Sequence, residues 1–168
     1  MNDDLAARKG AARAAMIKRL RDLTAEDRQA LSEELCEKVL EMNQWAESRN
    51  VLLFSPLPSE PILTPLKLDC SARKVPCFTI PPNVRTESEL HLPDAVDLIL
   101  VPGVAFARDR HRLGRGGGFF DRLLGGRAAQ AFKLGVCFSF QLLEELPASP
   151  DDIAMDAVVT DDGGRAIT

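Results

Sequence analysis

The chain has 168 residues, of which 45% are hydrophobic and 27% are charged, as is usual for one globular domain with a sizeable core. A net charge of -4 argues against broad nucleic-acid binding through bulk electrostatics. No apolar run approaches membrane-spanning length, and the four cysteines are scattered without a CxxC pair. We therefore expect a cytoplasmic protein with reduced thiols, no nucleic-acid partner and no membrane partner.

The N-terminal part of the chain predicts two helices. Residues Leu5 to Leu23 are rich in alanine and carry apolar residues at helical spacing. Lys9 and Arg13 are four residues apart, so they project from the same side of that helix. On the residues alone, a solvated basic face and a functional pair are both open interpretations. Thr24 is a suitable N-cap for a second helix that runs to about Asn43, where we expect core packing and no chemistry.

The middle of the chain predicts strands alternating with a helix. Val51 to Phe54 is a short apolar strand, and the turn after it reads SPLPSEP. Ligands of open α/β folds bind just beyond the carboxyl ends of the strands. Glu60 in this turn is therefore either a substrate-binding carboxylate or a charged residue at the start of the next helix. That helix is predicted over Ile62 to Cys70, and a further strand over Lys74 to Ile80.

The most informative stretch covers residues 97–124 and reads DLILVPGVAFARDRHRLGRGGGFFDRLL. Its LILV run, closed by Pro-Gly, is typical of a buried parallel strand. A charged loop, RDRHR, leads into residues 114–118, and a short helix is predicted to begin near Phe119. Glycines and a helix N-terminus let backbone N–H groups approach an anion closely, although glycine-rich connectors with solvated arginines are common. Both interpretations stay open on the loop alone.

The C-terminal part completes the pattern with strands predicted over Lys133 to Phe138 and Met155 to Thr160. Gln141 between them either holds a turn or touches a ligand. Asp152 lies in an acidic turn that, by itself, indicates a solvated loop. Because strands and helices alternate, the chain predicts one three-layer α/β domain over residues 1–168, with a mainly parallel sheet.

The stretch from VPGVAF to FFDRLL resembles the signature of the 5-formyltetrahydrofolate cyclo-ligase family, which is also called the 5,10-methenyltetrahydrofolate synthetase family. That signature runs roughly VPG-x-AF, a variable turn, then RLG-x-G-x-G-[YF]-[YF]-DR. The resemblance implies a Rossmann-like fold of the NagB/RpiA/CoA-transferase type. It also implies an enzyme that cyclises 5-formyltetrahydrofolate to 5,10-methenyltetrahydrofolate, with Mg²⁺ as cofactor and ATP as co-substrate. The implied partners are these small molecules, and the implied working form is a monomer or weak homo-oligomer.

The resemblance also implies roles for individual residues. Lys9 and Arg115 are the expected catalytic residues, and Asp121 and Asp152 the expected magnesium ligands. The expected ATP-binding residues are Lys9, Arg13, Arg112, Leu113, Gly114, Arg115, Gly116, Gly117, Gly118, Phe119 and Phe120. The expected substrate-binding residues are Ser55, Glu60, Arg115, Gly116, Gly117, Gly118 and Phe119.

The chain departs from the family pattern between the second predicted strand and the LILV strand. Members of the family usually carry a longer segment there, which helps to wall the folate pocket, whereas this chain has only a short polar connector at residues 83–95. Phe119 and Phe120 also stand where tyrosine is frequent in the family. Two alternatives therefore accompany the enzyme hypothesis. One is a nucleotide- or folate-binding paralogue without turnover, and the other is an interaction module that binds an anionic partner.

Overall fold

A computed structural model describes residues 2–164 and 166–168 of the chain. The helices are α1 (Asn2–Arg21), α2 (Ala25–Leu40), α3 (Asn43–Glu47), α4 (Thr64–Arg73) and α5 (Phe119–Gly125). The strands are β1 (Val51–Phe54), β2 (Cys77–Ile80), β3 (Leu98–Val101), β4 (Ala105–Ala107), β5 (Arg112–Leu113), β6 (Phe132–Val136), β7 (Leu142–Leu143) and β8 (Ala157–Val159). Short 3₁₀ turns cover Glu87–Glu89 and Ser139–Gln141.

A five-stranded sheet in the order β2-β1-β3-β6-β8 forms the centre of the molecule. Each neighbouring pair is parallel, and the register places Val51 opposite both Cys77 and Leu98. All residues of β1 and β3 are buried, because an internal strand of a parallel sheet is covered on both faces. The three-layer α/β architecture with a parallel sheet, predicted from the alternation of strands and helices, is confirmed.

A second sheet of three short strands, in the order β5-β4-β7, was not predicted. The charged run at residues 108–112 was expected to be a loop, but Arg112 belongs to β5, which pairs antiparallel with β4. Arg110 makes the tight turn possible with a φ of 71°, which is uncommon for a residue with a side chain. Met16 and Leu20 of α1 pack with Leu113 in a small separate core, so α1 is fixed against this sheet.

Several predicted boundaries differ from those of the structure, and α4 runs to Arg73, three residues beyond its predicted end. The second helix stops at Leu40, and Trp45 lies in the separate helix α3, with only 2% of its surface exposed. Its indole Nε1 donates to Asp69 Oδ2 at 2.8 Å, so it is a packing residue. The second strand begins at Cys77 and not at Lys74, because Lys74 ends α4 in a left-handed conformation.

The connector at residues 83–95 is held in place by α5 and the residues just after it. Arg127 donates to the carbonyl oxygens of Leu90 and Leu92 at 3.1 and 3.2 Å. Arg122 donates to the carbonyl oxygen of Arg85 at 3.1 Å. Leu90 is buried in the main core. The connector therefore has a defined path across the edge of the domain despite its polar sequence.

The remaining whole-chain predictions concern membranes and cysteines. No helix in the described part of the chain is long and apolar enough to cross a membrane. Cys36, Cys70, Cys77 and Cys137 are free thiols. Burial raises the pKa of the Cys36 thiol to about 12 and does the same for the Cys70 thiol. Thiols with such high pKa values are almost entirely protonated near neutral pH, so they are inert.

Candidate functional site

The carboxyl ends of β1, β2 and β3 open onto a single cavity of about 370 Å³. The glycine loop at residues 114–118 connects β5 to α5 along one side of it. Gly116 has a φ of +101° and Gly118 a φ of +66°, and a residue with a side chain would be strained at either position. Because α5 has only seven residues, its dipole is a small part of any attraction for anions. The loop N–H groups and nearby cations are the main candidates.

Each residue that the resemblance singled out lines this cavity. They come from α1, the turn after β1, β5, the glycine loop, α5 and the turn before β8: Lys9, Arg13, Ser55, Glu60, Arg112, Leu113, Gly114, Arg115, Gly116, Gly117, Gly118, Phe119, Phe120, Asp121 and Asp152. The fold therefore brings residues from positions 9 to 152 together. Their chemical roles stay predictions.

Helix α1 contributes two cations to the cavity. Lys9 Nζ lies 2.5 Å from Asp152 Oδ2, and Arg13 Nε donates to the carbonyl oxygen of Gly114 at 2.7 Å. Partial burial alone would raise the pKa of Asp152. Hydrogen bonds from Lys9 and the Ser149 amide, together with the Lys9 charge, outweigh this effect and hold that pKa below its usual range. Lys9 and Arg13 are thus part of the site and not a solvated face.

A third cation is almost fully enclosed in the cavity wall. The side chain of Arg112 is 5% exposed, and one of its terminal nitrogens lies 2.8 Å from Asp121 Oδ1. The other donates to the carbonyl oxygen of Pro102, and the guanidinium lies over the Phe120 ring at 5.6 Å. Arg112 Nε is buried and has no hydrogen-bond partner among the described residues. A Cβ at Gly114 would come within 2.7 Å of this guanidinium, so a larger residue there would push Arg112 from its position.

Arg115 links the glycine loop to the turn after β1. Its Nε lies 3.4 Å from Glu60 Oε1, and its terminal nitrogen donates to Ser59 Oγ at 2.9 Å. Glu60 is only 7% exposed, and its Oε2 accepts a hydrogen bond from the amide of Leu57. Ser59 was missed from the sequence, although it adjoins Glu60 in the same turn.

Comparison with known proteins identifies the family to which the chain belongs. The model described as the 5-formyltetrahydrofolate cyclo-ligase family matches residues 79–161. A 5-formyltetrahydrofolate cyclo-ligase from Haemophilus influenzae is 30% identical over 126 residues, covering 73% of this chain and 67% of that protein. The chain belongs to this family. The cyclo-ligase of Mycolicibacterium smegmatis is 50% identical over 64 residues, which cover 38% of this chain and only about a third (33%) of that relative.

The fold is also that of a solved member of the cyclo-ligase family. The NMR structure of 5,10-methenyltetrahydrofolate synthetase from Aquifex aeolicus superposes with a TM-score of 0.78 at 28% sequence identity. The match covers 95% of this chain and 92% of that one. The likeness therefore extends over the α1 residues as well as the glycine-loop region that carries the signature.

The apolar side of the cavity was not predicted. It is formed by residues at or after the carboxyl ends of strands and by the start of the connector: Phe54, Leu57, Ile80, Pro81, Pro82, Val84 and Pro102. The sequence did carry a signal for Pro81 and Pro82, because they directly follow a predicted strand. That strand, β2, is parallel to β1, so both strands end at the same edge of the sheet, where ligands of such folds bind. Cyclo-ligases were expected to need a longer segment here, but the short connector itself supplies part of the wall.

Gln141 is a structural residue of the site and lies behind it. It is 2% exposed, and its side-chain nitrogen donates to the carbonyl oxygens of Gly103 and Val104 at 3.0 Å each. Its side-chain oxygen accepts from the Phe138 amide. Of the two roles left open by the sequence, holding a turn is the one supported by these contacts.

Asp121 and Asp152 are the two carboxylates that were expected to bind magnesium. Among residues 2–164 and 166–168, no group of three or more His, Cys, Asp or Glu side chains could hold a metal ion. Mg²⁺ at a nucleotide site needs only one or two carboxylates, with phosphate oxygens and waters as its other ligands. Asp121 and Asp152 line the same cavity, and the Asp121 side chain is 48% exposed. The donor chemistry therefore fits magnesium bound together with a phosphate ligand.

Proposed function

We propose that the protein catalyses the ATP- and magnesium-dependent cyclisation of 5-formyltetrahydrofolate to 5,10-methenyltetrahydrofolate, with release of ADP and phosphate. One observation carries this proposal. A single cavity has four cations and a glycine loop on one side and an apolar surface with a buried carboxylate, Glu60, on the other. This division suits a triphosphate and an aromatic, hydrogen-bonding ring system held side by side.

The cationic side is suited to the triphosphate. Lys9, Arg13 and Arg112 are assigned to phosphate oxygens, together with the N–H groups of the glycine loop. The unpartnered Nε of Arg112 leaves one buried donor available for an incoming oxygen. Asp121 and Asp152 would hold magnesium beside these phosphates, where the ion would supply neutralisation of the phosphate charge.

The apolar side is suited to the reduced folate. Phe54, Leu57 and Pro81 offer a surface against which a ring can pack, and Phe119 closes it from the glycine-loop side. Glu60 is assigned to the N–H donors of the pterin ring, because a nearly buried carboxylate needs such partners. Ser55 also lines the cavity and is assigned to the folate.

In the proposed reaction the formyl oxygen attacks the γ-phosphorus of ATP, and the bond to the ADP oxygen breaks. The N10 amine then adds to the activated formyl carbon and loses its proton, and the carbon–oxygen bond to phosphate breaks. The side chains form no covalent bond in this scheme. Their contribution is to hold the formyl oxygen in line with the phosphate and to balance developing charge, for which Lys9 and Arg115 are the assigned catalytic residues.

Two features support catalysis over ligand binding without turnover. Pro81 and Pro82 after β2 and Val84 of the connector line the cavity, so an apolar wall is present without the longer family segment. Both phenylalanines at the tyrosine positions line the cavity and keep an aromatic surface there. We also propose a cytoplasmic location and a monomer or weak homo-oligomer as the working form, and the free buried thiols are in keeping with a reducing compartment.

The test is a coupled assay of purified protein with Mg-ATP and 5-formyltetrahydrofolate, in which methenyltetrahydrofolate absorbance and phosphate release are followed together. We expect both signals to rise in equal amounts, and both to be lost in Asp121→Ala. Asp151→Ala is the control, since Asp151 is an exposed aspartate next to Asp152 and outside the residues that line the cavity. Phosphate release without the methenyl product, or neither signal from a folded protein, would overturn the proposal.

A further inference from the structure

One side chain of α2 reaches the turn that carries Glu60. Arg28 Nε donates to the carbonyl oxygen of Glu60 at 2.8 Å, and an Arg28 terminal nitrogen donates to the carbonyl oxygen of Leu57 at 3.0 Å. These two acceptors are at the two ends of one tight turn, because the Glu60 amide donates to the same Leu57 carbonyl. The planar guanidinium therefore bridges the turn in a way that a single ammonium group cannot.

Ser32, one helical turn further along α2, holds the next part of the same segment. Its Oγ donates to the carbonyl oxygen of Arg28 at 2.6 Å and accepts a hydrogen bond from the Ile62 amide at 2.9 Å. Ser32 is 1% exposed, so this contact is protected from water. Together Arg28 and Ser32 fix residues 57–62 to a helix that was predicted to have no part in the chemistry.

The charges of Arg28 and Glu60 attract each other. Partial burial lowers the pKa of Arg28, and the negative charge of Glu60 partly offsets this by raising it. On its cavity side Glu60 has a second cation, Arg115, at the long distance of 3.4 Å. If Arg115 turns towards a phosphate, that contact is lost, whereas Arg28 donates to the backbone from behind the turn and stays in place. Arg28 is not among the described residues that line the cavity.

We propose that Arg28 is a positioning residue, which fixes the Glu60 turn and supplies the permanent positive charge that balances the buried carboxylate while Arg115 serves the phosphate. This role rests on the proposed function for its kinetic consequences. It makes α2 part of the folate side of the site and not of the ATP side. Loss of Arg28 should therefore weaken folate binding selectively.

The experiment compares Arg28→Gln, Arg28→Lys and Arg73→Gln with the wild type in the coupled assay. Arg73 is the control, because its guanidinium also makes two hydrogen bonds, to Asp69 and to the carbonyl oxygen of Ala46, but it lies outside the cavity lining. We expect Arg28→Gln to raise KM for 5-formyltetrahydrofolate roughly tenfold, about the loss of one charge-assisted hydrogen bond. KM for ATP and kcat should stay within about twofold, Arg28→Lys should recover part of the loss, and Arg73→Gln should match the wild type.

Amide hydrogen exchange of residues 57–62 provides a readout that does not need activity. The Leu57 and Ile62 amides should exchange faster in Arg28→Gln than in the wild type, and at the wild-type rate in Arg73→Gln. An unchanged folate KM, or equal rises in both KM values, would overturn the positioning role. If the wild type shows no turnover, the proposed function fails, and unchanged exchange at residues 57–62 would then refute the role of Arg28 independently.

Discussion

The two sides of the cavity are built on different physical principles. On the cationic side, Lys9, Arg13, Arg112 and Arg115 each already contact an oxygen atom of the protein. On the apolar side, Pro81 follows the end of a strand and Val84 lies in the connector, and neither side chain has a hydrogen bond or charge contact that a ligand would have to break. A ligand on the first side must exchange one set of charge contacts for another, whereas a ligand that packs on the apolar residues of the second side only displaces water.

This difference predicts how affinity and catalysis divide between the two sides. When a phosphate binds these cations, the loss of their existing contacts offsets much of the energy gained from the new ones. The cationic side should therefore contribute orientation and charge balance more than binding strength. Burial of apolar surface contributes about 25 cal/mol per Å² without any competing partner. Variants on the cationic side should therefore affect turnover most, and variants on the apolar side should affect folate affinity.

Among the cations of the cavity, the largest effect is expected from Arg115→Ala. Arg115 is the residue that contacts both sides, through Glu60 and through the glycine loop in which it lies. Removal of one positioned group that stabilises transition-state charge typically costs about 10²–10³ in rate. We expect a loss of that size in kcat for methenyl formation. Arg108→Ala, which removes an exposed arginine outside the cavity lining, is the control, and equal losses in the two variants would contradict the comparison.

A smaller and ATP-specific effect is expected from Lys9→Gln. The change removes a phosphate donor and leaves Asp152 without its cation. A charged hydrogen bond is worth roughly 1.5–3 kcal/mol, so kcat/KM for ATP should fall about 10- to 100-fold, mainly through kcat, while KM for folate changes little. Lys18→Gln on the exposed part of the same helix should behave like the wild type. A rise confined to the folate KM would show that the two sides have been assigned the wrong way round.

Val84→Ala tests the apolar side with a change of two methyl groups. Val84 belongs to the connector and lines the cavity. Loss of about 1 kcal/mol of apolar contact should raise KM for 5-formyltetrahydrofolate roughly fivefold, with KM for ATP unchanged. Leu68→Ala provides the control, since Leu68 is 66% exposed outside the cavity. If Val84→Ala leaves the folate KM unaltered, the connector is not a wall of the folate site.

The strands of the main sheet were predictable because the runs at residues 51–54 and 98–101 are uniformly apolar, as burial on both faces requires. The β4–β5 hairpin was not, because its turn sequence RDRHR carries no alternating pattern and depends on the positive φ of Arg110. Short strands of two or three residues are fixed by their partners and not by their own propensity.

The composition of the cationic side followed from the family signature and the Lys9–Arg13 spacing, but its ion pairs did not. The pairing of Lys9 with Asp152 spans 143 positions, and no local pattern encodes such a distance. The same is true of Arg28, whose bond to Glu60 spans 32 positions. The connector looked like a polar loop because its fixed path depends on Arg122 and Arg127, each of which lies 37 residues after the connector carbonyl that it binds, Arg85 and Leu90 respectively.

The smallest predicted effect is on how the free energy of unfolding depends on pH, which should differ between variants of the two sides. The pKa of Asp152 in the folded protein lies below its ordinary value of 3.8. A lowered folded pKa means that ionised Asp152 stabilises the fold above the unfolded pKa, and this contribution disappears as pH falls through the folded pKa. The pair is partly exposed, so its contribution to the free energy of unfolding is at most about 1 kcal/mol.

Urea unfolding of the wild type and Asp152→Asn at pH 7 and at pH 3 measures this contribution. The difference between them should be present at pH 7 and should shrink at pH 3, because protonation of Asp152 makes the wild type resemble the variant. Asp151→Asn should show no such difference at either pH, because Asp151 is exposed. On the apolar side, Val84→Ala should change stability by the same amount at both pH values, since no proton is involved. A difference for Asp152→Asn that persists at pH 3 would mean that the Lys9–Asp152 charge pair does not stabilise the fold.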